Sequence, residues 1–224
     1  MGSLRIVSKS GEPFKDREEA GRLLAQELSK YWGKGAVVLG IPRGGVVIGK
    51  EIAAFLKADL DILLAHKLTA PGQPELAMGS VSEDGKLFLN ERVISGLYIS
   101  PAEIEEEKKR QIAEIKRRVR QFRSVRQKVS LSGRIVIITD DGVATGSTAE
   151  AAVWAARGDR PEKLIMAMPV GPEDTIKRLA EDVDEMLCLR VPPFFGAVGQ
   201  FYENFKPVED YEVIEILKNG RNKQ

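Results

Sequence analysis

The chain has 224 residues, 43% hydrophobic and 30% charged, long enough for one large or two small domains around a genuine core. With 34 Lys plus Arg against 33 Asp plus Glu, the formal net charge is +1, which argues against a whole-molecule field that draws in nucleic acid or anionic membrane. The one cysteine, Cys188, and the one histidine, His66, exclude an intrachain disulfide and a Cys/His metal site, and residues 1–14 carry no apolar signal-peptide core. No stretch approaches the ~18 apolar residues of a membrane span, so a reducing, cytoplasmic setting is expected.

In chain order, Asp16-Arg17-Glu18-Glu19 reads as a capping box that starts a helix with the stripe Ala20, Leu23, Leu24 and Leu28. Gly33 and Gly35 end it before the apolar run Ala36–Leu39. Similar runs recur at Ile62–Ala65, Ile135–Ile138, Leu164–Met168 and Met186–Leu189, with helical patterns between most of them. Runs without polar alternation are covered on both faces, so an α/β fold with a mostly parallel central sheet flanked by helices is expected. Leu68–Gly85, with three Gly and two Pro, reads as a long functional loop. Ser100-Pro101-Ala102-Glu103 is a second capping box, opening a charged helix to about Arg126. That helix is acidic in its first turns and basic in its last, as the helix dipole favours, with Ile112, Ile115, Val119 and Phe122 as a packing stripe. Five aromatics crowd residues 194–205.

Chemistry concentrates at Ile135–Thr148. An apolar strand ends in Asp140-Asp141, and the turn Ala144-Thr145-Gly146-Ser147-Thr148 then opens an Ala-rich helix. Free amides at a helix start, with three hydroxyls, make a phosphate cradle. Ionised carboxylates one ribose away accept hydrogen bonds from a diol. A plain strand-end acid pair or a Walker-B-like metal site are the alternatives. The literal Gly-x4-Gly-Lys from Gly44 to Lys50 is half of a P-loop, but Glu51 stands where Ser or Thr is needed.

The acid pair followed by Ala-Thr-Gly-Ser-Thr resembles the phosphoribosyl-diphosphate signature of type I phosphoribosyltransferases. The turn Gly40-Ile41-Pro42-Arg43-Gly44-Gly45 and the basic Lys67 agree with it, and the resemblance covers roughly residues 36–189. It implies one domain over 1–224, with a flexible loop at about 68–85, an inserted helix at about 101–126 and a C-terminal hood at about 191–218. It further implies ribose binding by Asp140 and Asp141, and 5-phosphate binding by Ala144, Thr145, Gly146, Ser147 and Thr148. Arg43, Gly44, Gly45 and Lys67 would take the pyrophosphate. Magnesium would be held largely through substrate oxygens, with Asp140 and Asp141 as the protein groups in reach.

The implied reaction moves ribose 5-phosphate from phosphoribosyl diphosphate to a nitrogenous acceptor, a step of nucleotide metabolism, in a homodimer. Glu75 is the candidate acid or base of the loop. Phe201 and Tyr202 are the candidates for stacking the acceptor, with a plain hydrophobic cap as the alternative. Ala144 replaces the aspartate of the 6-oxopurine branch, which disfavours hypoxanthine and guanine. The competing reading is a regulator that senses phosphoribosyl diphosphate and binds nucleic acid through the seven basic residues of 116–128.

Overall fold

The computed structural model describes residues 2–220, except the side chains of Pro74 and Glu75. The chain runs β1 (Ser3–Ser8), α1 (Arg17–Glu27), a 3-10 turn (Ser29–Tyr31), β2 (Val37–Gly40), α2 (Gly44–Leu56) and β3 (Asp59–Ile62). It continues through β4 (Ala65–Ala70), β5 (Gln73–Ser82), β6 (Leu87–Leu89), α3 (Glu91–Gly96) and α4 (Pro101–Arg123). After β7 (Ile135–Thr139) come α5 (Ser147–Gly158), β8 (Lys163–Val170), α6 (Glu173–Glu181), β9 (Glu185–Arg190), a 3-10 turn (Val198–Phe201) and α7 (Asp210–Asn219). No described helix is long and apolar enough to cross a membrane.

Six strands form one parallel sheet in the order β1-β9-β8-β7-β2-β3. Val136, Ile138, Leu164, Met166, Met168, Met186 and Cys188 face α5 and α6, and Val38, Ile137, Ile165, Ala167 and Leu187 face α1 and α2. Two covered faces explain the unbroken apolar runs. Burial pushes the Cys188 thiol up to about 12.

The literal P-loop residues are ordinary helix. Val46, Ile48, Gly49 and Ile52 are buried in α2, while Lys50 pairs with Glu18 and Glu51. At α1, Asp16 caps the Glu19 amide as expected, but the Glu19 carboxylate accepts from the Lys15 amide at 2.6 Å rather than from Asp16. The Ser100 capping box is complete, and α4 stops at Arg123, just short of the expected end.

Two expectations change. The strand anticipated at Ile62–Ala65 lies earlier, at Asp59–Ile62. Its Asp61 is buried at 1% exposure and is held by Arg123 Nη1 at 2.6 Å and the Val129 amide at 2.8 Å. The expected loop at 68–85 is instead part of an antiparallel sheet, β4-β5-β6. Pro71 and Gly72 (φ 71°) form its hairpin turn, and register shifts at Leu68/Thr69 and Thr69/Ala70 accommodate the strand that begins Gln73-Pro74. Leu68, Met78 and Val81 are buried with Ile99 and Ile115 of the α4 region. Lys67 therefore belongs to this second sheet.

Candidate active site

Strands β2 and β7 pair with Gly40 opposite Thr139, so the loops leaving their carboxyl ends start side by side. The Ile41 amide donates to the Thr139 carbonyl at 2.9 Å. A Cβ on Gly45 would stand 2.6 Å from the Thr139 carbonyl oxygen, and one on Gly44 would overlap Asp141 Oδ2. Side chains there would force the two loops apart. The peptide joining Pro42 to Arg43 is cis.

Burial, reinforced by the neighbouring Asp141 charge, pushes the Asp140 carboxyl well above the usual carboxylate range. Its Oδ1 accepts the Asp141 amide at 2.8 Å. Burial also holds Asp141 above its ordinary value, even though Arg17 Nε and Nη2 both lie 2.8 Å from its Oδ2. Arg17 in turn donates from Nη1 to the Lys206 carbonyl at 2.8 Å and lies 3.9 Å from the Phe205 ring centroid. The Tyr202 hydroxyl donates to the Asp141 carbonyl at 2.6 Å. Asp141 is thus clamped from α1 and from the C-terminal segment, whereas Asp140 carries no side-chain ion pair among the described residues.

Next comes the turn. Gly146, at φ 83°, starts α5 with no side-chain cap. Thr175 Oγ1 donates to the Ala144 carbonyl at 2.9 Å, and Arg178 Nη2 donates to the Thr145 carbonyl at 2.6 Å. Helix α6 therefore occupies the carbonyls of the turn, while the uncapped first turn of α5 presents its amides beside exposed Thr145 and Thr148 and half-buried Ser147. Oriented amides with hydroxyls beside them form an anion cradle. A cleft of about 420 Å³ adjoins it, lined by Pro42, His66, Lys67, Gln111, Arg118 and Thr148, among others.

The structure therefore brings Asp140, Asp141, residues 144–148, Gly44, Gly45 and Lys67 to one edge of the sheet. The remaining candidates are placed otherwise. Arg43 does not line the cleft, because its guanidinium lies 3.5 Å from Glu209 and 3.9 Å from Asp210 at the start of α7. Phe201 and Tyr202 are buried rather than available for stacking. Phe201 stacks on Phe195 at 5.2 Å, Tyr202 stacks on Phe205 at 5.1 Å, and the Phe14 amide donates to the Phe201 carbonyl, closing a hydrophobic cap. Glu75 has its backbone in β5, and its side chain lies outside the described residues.

Much of the basic window is committed to ion pairs within the chain. Arg123 holds Asp61 and Glu83, Arg126 lies 3.9 Å from Asp59, Lys128 holds Asp84 and Asp159, and Arg117 lies 3.9 Å from Asp210. Lys116 and Arg120 are exposed. Arg17 and Gln111 were not singled out by sequence reasoning, Arg17 carrying only a helix-start signal and Gln111 none beyond helical spacing, while Arg118 was read only as one of the seven basic residues of 116–128.

Among the described residues no cluster of three or more His, Cys, Asp or Glu could hold a metal. With Asp141 already paired to Arg17, Asp140 is the available protein ligand. That donor set fits a magnesium ion coordinated mainly by substrate oxygens and water, and not one caged by protein.

The sequence family described as "Phosphoribosyl transferase domain" matches residues 14–206. A Mycobacterium tuberculosis (strain H37Rv) protein named "Putative phosphoribosyl transferase" is 46% identical over 204 residues, covering 91% of this chain and 46% of that protein. The chain thus spans about half the length of the curated relatives it matches. Among solved structures, the crystal structure of TT1426 from Thermus thermophilus is 40% identical, covers 92% of this chain and 98% of that one, and superposes with a TM-score of 0.89.

Proposed function

The chain belongs to the phosphoribosyl transferase domain family, and on that premise we propose that it transfers ribose 5-phosphate from phosphoribosyl diphosphate to a nitrogenous acceptor, releasing pyrophosphate. The observation that carries this reading is the placement of a half-buried Asp140, with no side-chain ion pair among the described residues, directly ahead of the uncapped start of α5. A carboxylate that can accept from the ribose diol followed by a phosphate cradle is the chain order that a ribose 5-phosphate needs.

The residues divide the work by charge. The amides of residues 146–148 and the adjoining hydroxyls would hold the 5-phosphate. Asp140 and Asp141 would fix the ribose hydroxyls, Asp141 being oriented by Arg17 and Tyr202. Cleavage at the anomeric carbon develops positive charge on the ribose and negative charge on the leaving diphosphate, so catalysis rests on holding both ends and neutralising the second. Lys67 and the Gly44 amide are the groups for that end, since the Gly45 amide already donates to the Ile41 carbonyl at 3.1 Å. The Arg43 pair with Glu209 is exposed and of the kind that contributes only about 0–1 kcal/mol, so Arg43 can exchange it for a diphosphate. Magnesium, when bound through substrate and Asp140, would supply further neutralisation of the diphosphate. The β4-β5 hairpin would keep water from the cleft.

A pyrophosphate-release assay with phosphoribosyl diphosphate, magnesium and a panel of purine, pyrimidine and pyridine acceptors tests this. Turnover with at least one acceptor is expected, abolished by Asp140→Asn combined with Asp141→Asn. Ala144 offers no carboxylate to a 6-oxopurine, so hypoxanthine and guanine are expected to react far below the ~1–10³ s⁻¹ of dedicated enzymes. Unchanged calorimetric affinity for phosphoribosyl diphosphate in a folded double variant overturns the assignment.

A further inference from the structure

Helix α4 is the element that the proposed reaction leaves unexplained. It is 23 residues long and held firmly: Ile115 and Phe122 are buried, and Arg123 grips Glu83 through Nε at 2.7 Å and Nη2 at 2.6 Å while also holding Asp61. One turn before Phe122 stands Arg118, and two turns before Arg118, on the same face, stands Gln111. Both line the cleft that Pro42, Lys67 and Thr148 also line.

Arg118 has no ion pair among the described residues, unlike Arg123, Arg126 and Lys128 further along the chain. Its Nε is buried with no hydrogen-bond partner, and no carboxylate lines the cleft among the described residues. A guanidinium is permanently charged, and a buried donor left unmatched is costly, so its fork is arranged for an anion that arrives from outside. The facing wall is ordered as well. Gln111 Nε2 donates to Glu107 Oε1 at 2.9 Å, which leaves Gln111 Oε1 to accept from His66 Nδ1 at 3.0 Å. The His66 ring is thereby fixed with Nδ1 protonated and Nε2 left for the cleft.

We propose that Arg118, carried into the cleft by α4, binds the diphosphate of the donor and the pyrophosphate that leaves, opposite the cradle for the 5-phosphate. This rests on the phosphoribosyl-transfer reading. It makes α4 a preformed wall of the site and gives the diphosphate end a second guanidinium in addition to Arg43, from a helix outside the signature motifs. A planar fork matches two phosphate oxygens at once, which an ammonium cannot do.

The test is titration calorimetry in magnesium buffer with inorganic pyrophosphate and, separately, ribose 5-phosphate, on the unaltered protein, Arg118→Gln and Arg118→Lys. Arg118→Gln is expected to weaken pyrophosphate binding about 10- to 100-fold, Arg118→Lys less, and neither is expected to change ribose 5-phosphate binding. The sugar phosphate reports that each variant is folded, and the lysine variant separates charge from geometry. If Arg118→Gln binds pyrophosphate like the unaltered protein, or if the unaltered protein binds ribose 5-phosphate but not pyrophosphate, this inference falls and the transfer reading stands. An unaltered protein that binds neither ligand overturns both.

Discussion

Asp140 lies where burial and the adjacent Asp141 charge both oppose ionisation, while its proposed task of accepting ribose hydroxyls needs the ionised form. A carboxyl raised in the folded state adds stability below its unfolded pKa, and that contribution is lost as pH rises through the folded value. Affinity for phosphoribosyl diphosphate is therefore expected to climb with pH across that window, and Asp140→Asn should flatten the climb and raise Tm at neutral pH. Calorimetric scans from pH 4 to 8 with and without ligand check both signs. Arg17 is the opposite case, a cation whose partner is mostly enclosed, with side chains 10% and 17% exposed. Arg17→Met leaves Asp141 uncompensated and should cost about 3 kcal/mol in urea unfolding, recovered in part by adding Asp141→Asn. The acid pair and its turn were legible because a strand end, two carboxylates and a Gly-Ser-Thr helix start are contiguous. The clamp was not, because Arg17 meets Asp141 only through the fold and reads locally as the first residue of a capped helix.

At the scale of elements, charge inside a strand concealed more than composition did. Asp59 and Asp61 break the apolar run that would have marked β3, and the break is repaired from a distance, by Arg134 and Arg126 at Asp59 and by Arg123 at Asp61. The hairpin was hidden for a different reason: two prolines and three glycines suggested a loop, yet one Pro-Gly pair is its turn and the register shifts absorb the rest. With Leu68, Met78 and Val81 at 0% exposure, the strands of this hairpin should resist limited proteolysis in the free protein, with any cleavage confined to the exposed turn at Pro71-Gly72. Mass spectrometry of the fragments decides the matter, and cuts within Leu76–Ser82 would show that the packing is loose. Arg123→Ala strips two buried carboxylates of their partner at once. It should destabilise the protein by about 3–5 kcal/mol and loosen α4 along with the hairpin, seen as faster amide exchange across both.

Over the whole molecule, the parallel sheet places every strand's carboxyl end along one edge, so the alternation of apolar runs and helices already implied where a ligand would sit. The edge strand β1 escaped notice because it is largely exposed and gains its place only by pairing with β9. Charge balance extends the same way: a net charge of +1 is met by a basic helix whose cations largely answer carboxylates of the same chain. With Lys116 and Arg120 as the exposed cations of that window that no ion pair engages among the described residues, the slope of log affinity for RNA against log salt should be no steeper than about −2, measurable by filter binding. A steeper slope that responds to phosphoribosyl diphosphate would instead favour the regulator. Finally, Cys188 is enclosed in β9, and burial pushes its thiol up to about 12, which suppresses the reactive thiolate at neutral pH. The native chain is therefore silent toward maleimides, and a cysteine introduced at fully exposed Tyr98 or at the cleft mouth would be the single point of attachment for a fluorophore, so that ligand arrival beside α4 could be watched in real time without first removing a native residue.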